Sequence, residues 1–264
     1  MEAKIETITP DKAKALLDSS NGNRSLKQAK VAAYARDMTA GNWMLNGGSI
    51  VIDWNGALID GSHRLTACIK SGATFEALVV RGAAPEAQKT IDMGSSRTAA
   101  DVLGFYGYKN VGLMNTIARI LLSLSNGRAR SANPSMQEIF TFIEGFPEIN
   151  DAARFASHEG RAIPKTASAV GAIYALELRA GDVSAVTKFA EVLSSGVPAY
   201  AGCAAHALRE RLIKDEISKT KITIADRQLL IFSAWEKFKV RAPVKTLKMT
   251  SENNLMIFNK AATA

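Results

Sequence analysis

The chain has 264 residues, 47% hydrophobic and 22% charged, proportions of a soluble globular protein, and no stretch approaches the roughly 20 apolar residues of a membrane span. Its 33 Lys and Arg exceed its 25 Asp and Glu to leave a formal charge of +8, which favours an anionic partner, nucleic acid first. Cys68 and Cys203 are too far apart to suggest a disulfide framework or a metal cluster, and MEAKIETITP lacks the apolar stretch of a secretory signal, so a reducing, cytoplasmic setting without membrane contact is expected.

In chain order, Ser25 and Gln28 match a capping box that opens a helix. Val31, Tyr34, Ala35 and Met38 share one face of it, and Gly41 stops it before Trp43. Ser49 to Asp53 and Ala57 to Asp60 read as a hairpin across Asn55-Gly56, a type I′ turn signal. Gly61 then breaks the strand, Ser62 to Lys70 predicts a helix ended by Gly72, and Phe75 to Arg81 predicts another strand. Beyond Pro85 the strand signals fade, which places a domain boundary near residue 95. Thr98 with Asp101 caps one helix, a second starts at Val111, and Ser135 with Glu138 caps a third. Helices are also predicted over Thr166 to Arg179, Val183 to Leu193 and Ala225 to Phe238. Residues 1–100 hold 12 Lys and Arg against 10 Asp and Glu, and the remainder 21 against 15, so six of the eight net charges fall in the helical part. Lys237, Lys239, Arg241 and Lys245 are its candidate DNA contacts.

The run Asp60-Gly61-Ser62-His63-Arg64 stands where a strand passes directly into a helix. Such a junction presents unpaired N–H groups and a positive dipole end, and a glycine there lets an anion approach closely. The Ser62 hydroxyl can donate to a phosphate oxygen, while Arg64 offers a forked guanidinium and His63 a pH-dependent donor. Asp60 is the candidate Mg2+ ligand, and Asp60 and His63 are the candidate catalytic groups. The same residues also fit a purely structural arrangement, in which Asp60 ends the strand, Ser62 caps the helix and Arg64 pairs with a carboxylate.

The stretch resembles the signature of the ParB/sulfiredoxin superfamily, a strand followed by a Gly-x-[His/Arg]-Arg turn and a helix with a small residue, here Gly61, His63, Arg64 and Ala67. The resemblance implies that this turn holds nucleotide phosphates. Sulfiredoxins place a reactive cysteine between the glycine and the histidine. Ser62 stands there instead, and a hydroxyl cannot replace a thiolate, so sulfinic acid repair is not expected. Many ParB proteins carry a metal-holding acidic residue at the Ser62 position, and Asp60 is the candidate to take its place. The wider pattern is similar to phage and plasmid proteins described as ParB-like nuclease domains, through Asn23-Arg24, Gly41-Asn42-Trp43, Asp60 to Ala67, and Ile91, Asp92, Gly94, Arg97 and Thr98. That similarity covers roughly the first 105 residues and adds Asn23, Arg24, Asp92 and Arg97 to Gly61, Ser62, His63 and Arg64 as candidate nucleotide contacts.

The expectation is therefore an α+β protein: a small ParB/sulfiredoxin-like nucleotide-binding domain over residues 1–95, and a mostly α-helical, DNA-associated domain over residues 96–264. It would bind ATP or CTP, with Mg2+ supporting hydrolysis or phosphoryl transfer, and act on or with DNA. The alternatives are a non-catalytic DNA-binding or regulatory protein and, third, a ParB-like nuclease.

Overall fold

The computed structural model describes residues 1–20, 26–91, 97–125 and 134–247. The chain divides into two units, Met1–Ser96 and Arg97–Ala264. The first is α+β, and every regular element among the described residues of the second is a helix.

In the first unit the order is β1 (Glu2–Ile8), α1 (Pro10–Asp18), α2 (Gln28–Thr39), β2 (Ser49–Asp53), β3 (Leu58–Asp60), α3 (Ser62–Ser71) and β4 (Phe75–Ala83). The sheet runs β1-β4-β2-β3, with β4 antiparallel to β1 and parallel to β2. Parallel neighbours need a crossover connection, and β3 followed by α3 supplies it. Both α1 and α2 pack on α3, and Ile8, Val31, Ile50, Leu65, Phe75 and Val79 form part of the shared core. Trp43 closes one side of that core, its ring edge-on to Tyr34 at 5.2 Å and to Phe75 at 5.3 Å.

Two local expectations change in the structure. The β2–β3 connection is the four residues Trp54 to Ala57, closed by the Asp53 N–H donating to the Ala57 carbonyl at 2.9 Å. Only Gly56 takes a positive φ (83°) in it, whereas a type I′ turn needs two. The Asp53 carboxylate holds this loop by accepting from the Asn55 and Ala57 N–H groups at 2.9 and 2.8 Å, a side-chain contribution that the Asn-Gly pair does not announce. The α2 helix has Lys27 at its N-cap with no side-chain cap of its own, and Ser25 lies outside the described residues.

The second unit contains α4 (Ala99–Phe105), α5 (Val111–Ser125), α6 (Met136–Gly145), α7 (Glu148–His158), α8 (Ala167–Arg179), α9 (Ser184–Ser195), α10 (Ala204–Ile217) and α11 (Ile224–Lys239). Capping boxes form at both expected places, Thr98 with Asp101 and Ser135 with Glu138. The α8 helix is the central one, buried from Ala169 through Leu176 apart from Tyr174, and it packs on α5 and α7. Gly171 permits this approach: a Cβ there would lie 2.6 Å from Ile117 Cδ1 and 2.9 Å from Ala156 Cβ. Arg227 on α11 is 2% exposed. Its Nη2 donates to Asp215 at 2.5 Å and to Glu216 at 2.7 Å, both on α10, while Nη1 donates to the Pro164 carbonyl at 3.0 Å. The buried charge is thus compensated by two carboxylates and a peptide oxygen.

Candidate functional site

The β3–α3 junction brings together Asp60, Gly61, Ser62, His63 and Arg64. Gly61 has φ 111° and ψ −1°, in the region that disfavours a side chain. A Cβ there would also come within 3.0 Å of Ile50 Cγ1 and 3.3 Å of Ile50 Cα. The backbone must therefore turn sharply while touching β2, and only glycine meets both conditions. The helix that follows has ten residues and no side-chain cap at its N-terminus. Its first turn is anchored by Leu65, which is wholly buried and donates its N–H to the Gly61 carbonyl at 3.0 Å. That leaves the backbone N–H groups of Ser62, His63 and Arg64 at the positive end of the helix dipole.

Arg64 folds back over the start of β2. Its Nη2 donates to Asp60 Oδ2 at 2.9 Å, the i,i+4 ion pair, and to the Ser49 carbonyl. Gly48 leaves room for the guanidinium, since a Cβ there would come within 3.2 Å of Nη1. The Nε atom is buried without a hydrogen-bond partner. Asp60 and Arg64 thus form a tethered pair with spare donor capacity on the arginine. The Ser62 hydroxyl is half-buried at the first helical position.

His63 has a structural duty: its Nε2 accepts the Lys27 N–H at 3.0 Å and so caps α2 from another helix. While that bond stands, Nε2 is unprotonated and cannot donate to a ligand. Cys68, further along α3, is buried, and its thiol donates to the Ala73 carbonyl at 3.1 Å. Burial pushes its pKa above the ordinary thiol value, so it is not an activated nucleophile.

Of the other candidate nucleotide contacts, Asn23, Arg24 and Asp92 lie outside the described residues. Arg97 opens the helical unit, exposed, with its guanidinium 5.3 Å from the centre of the Phe105 ring. Among the described residues no group of three or more His, Cys, Asp or Glu is placed to hold a metal ion.

The four candidate DNA contacts differ in state. The Lys239 ammonium pairs with Glu177 at 2.7 Å. Lys237 is half-buried, while Arg241 and Lys245 are exposed. Glu236 sits beside Lys237, half-buried, and desolvation pushes its pKa above the ordinary carboxylate value. Sequence reading passed over Ser49, which holds Arg64 through its carbonyl, and Gly48; the Gly47-Gly48 pair before β2 was the available signal. It also passed over α10, whose Arg211 and Lys214 line a groove. Compared with family models, with curated proteins and with solved structures, the chain matches none.

Proposed function

We propose that the first unit is a ParB/sulfiredoxin-like nucleotide-binding domain that takes the phosphates of ATP or CTP at the Gly61 turn. The observation that carries this reading is the uncapped α3 N-terminus, entered through a glycine that lies against β2, with the Arg64 guanidinium held beside it. A phosphate there would accept from the Ser62, His63 and Arg64 N–H groups and from the Ser62 hydroxyl, and would use the unsatisfied donors of Arg64. The Asp60 carboxylate is the only one at this turn among the described residues, and Arg64 already holds it. Mg2+ bound to protein through one carboxylate relies on phosphates and water for its other ligands, so this donor set is not a metal site in its own right and no step is routed through the ion. The reading is nucleotide binding, not turnover.

Calorimetric titration of the full chain with ATP, CTP and the matching nucleosides tests it. Triphosphates should bind and nucleosides should not. Arg64→Ala removes a charge-assisted contact worth roughly 1.5–3 kcal/mol, which weakens affinity about ten- to a hundredfold. Unchanged affinity in a folded Arg64→Ala protein would remove Arg64 from the site.

In second place we propose that the helical unit docks on the DNA backbone. Its charge supports this: residues 101–264 hold 21 Lys and Arg against 15 Asp and Glu. Lys237 and Arg241 are the side chains near the end of α11 that pair with no carboxylate among the described residues. The pairing of Lys239 with Glu177 leaves that lysine less to offer a phosphate.

A further inference from the structure

A groove of about 430 Å³ runs along one face of α10. His206, Glu210 and Lys214 line it at spacings of four residues, with Ala207 and Arg211, also four apart, beside them and the N-cap Cys203 at one end, which puts them on one side of the helix. The chain after α11 forms the opposite wall, from Val244 to Leu247, and is pinned across the groove mouth by the Val244 N–H, which donates to the Gly202 carbonyl at 2.8 Å.

Three cations among the described residues line this space: Arg211, Lys214 and Lys245. None of them forms an ion pair or hydrogen bond among the described residues. Elsewhere in the same unit, Arg227, Lys239 and Lys221 are each matched to a carboxylate. Among the described residues Glu210 is the one acidic side chain on the lining. At the other end the α10 N-terminus has no side-chain cap, and the Ala204 N–H donates to the Tyr200 hydroxyl at 3.5 Å. The helix dipole thus adds positive potential to the end away from Lys214. Between these ends the wall is partly apolar, through Pro198, Ala201 and Val244.

We propose that this groove binds a small organic phosphate, with the phosphate taken by Arg211, Lys214 and Lys245 and the organic part lying against Tyr200, Ala201 and Val244. The volume lies within the range of about 300–1,000 Å³ typical of small-molecule sites, and a duplex is too thick to enter it. An arginine and two lysines suit a phosphate because the guanidinium supplies a fork and the ammonium groups supply point charges. This site is separate from the Gly61 turn and does not depend on it. A DNA contact through Lys237 and Arg241 would not need Lys245.

The experiment uses the full chain carrying Arg64→Ala, so that binding at the Gly61 turn is weakened about ten- to a hundredfold. Calorimetry with AMP, ribose 5-phosphate, orthophosphate and adenosine is run on this protein and on the same protein with Arg211→Gln and Lys214→Gln added. Both added positions are exposed, and matching thermal midpoints establish that the fold is kept. A Lys245→Gln version provides an independent second variant. AMP or ribose 5-phosphate is expected to bind saturably at one site, more tightly than orthophosphate, and the double substitution should weaken that affinity at least tenfold. The proposal is overturned if neither organic phosphate binds saturably, if adenosine binds as tightly as AMP, if orthophosphate equals both esters, or if both sets of substitutions leave affinity unchanged.

Discussion

Asp60 is the residue whose role the geometry changes most. As the candidate metal ligand it would aid nucleotide binding, yet in the structure its Oδ2 lies 2.9 Å from Arg64 Nη2 and competes for the guanidinium that a phosphate would use. Asp60→Asn should therefore strengthen nucleotide binding measured without Mg2+, by several-fold, because an exposed or half-buried ion pair is worth about 0–1 kcal/mol. Loss of metal-free binding in that variant would restore Asp60 to a direct supporting role. That Arg64 could pair with a carboxylate was legible in the sequence, but that the carboxylate is Asp60, which reads there as a metal ligand or as the end of the strand, was not. The His63–Lys27 bond was not, because 36 residues separate its partners and nothing local links them. Gly61 was legible as a strand breaker, but its second constraint, contact with Ile50, needs the sheet to be assembled.

Among the elements, β1 shows why an edge strand escapes pattern reading. Of Glu2–Ile8 only Ile8 is buried, so the strand has no apolar alternation. It is held instead by pairing with β4 over its whole length and by ions. Glu6 on β1 pairs with Arg81 on β4 and, at 2.7 Å, with Lys12 on α1. The Arg81 hydrogen bond, helped by Lys12 and opposed by burial, holds the Glu6 pKa at about 2, against an ordinary 4.5. A depressed carboxylate stabilises the fold above its unfolded pKa and loses that contribution as pH falls through the folded value. The urea midpoint of the first unit should therefore drop between pH 4.5 and 2, and Glu6→Gln should flatten that part of the profile. A profile identical in the two proteins would dissociate Glu6 from acid stability. The α1 helix did carry a signal, Thr9 as N-cap before Pro10, but it is short and buries only Ala13 outright. The α10 helix was overlooked for a different reason: its residues 209–216 are mostly charged, and its buried side is carried by Ala204, Ala205, Leu208 and Leu212. The capped helices α4 and α6 were readable because a capping box is a purely local motif.

For the whole molecule, composition and the fading of strand signals after Pro85 were enough to anticipate an α+β unit followed by a helical one, since the hydrophobic period changes along the chain. How charge is spent was beyond composition: Arg227 and Lys239 add to the net charge but are consumed by Asp215, Glu216 and Glu177. If the helical unit docks on DNA through Lys237 and Arg241, the log–log dependence of affinity on salt should flatten by about 0.9 for each lysine or arginine replaced. Lys237→Ala with Arg241→Ala should therefore lessen the slope by about 1.8 and weaken all duplex sequences alike. An unchanged slope, or no binding at low salt, would remove that reading. The central claim, phosphate at the Gly61 turn, is tested most directly by titrating the 15N-labelled full chain with ATP and following its amide resonances. The account predicts that the largest shifts fall on Gly61, Ser62, His63, Arg64 and Leu65 and that Arg64→Ala suppresses them. Saturable ATP binding that leaves these five amides unmoved would contradict it.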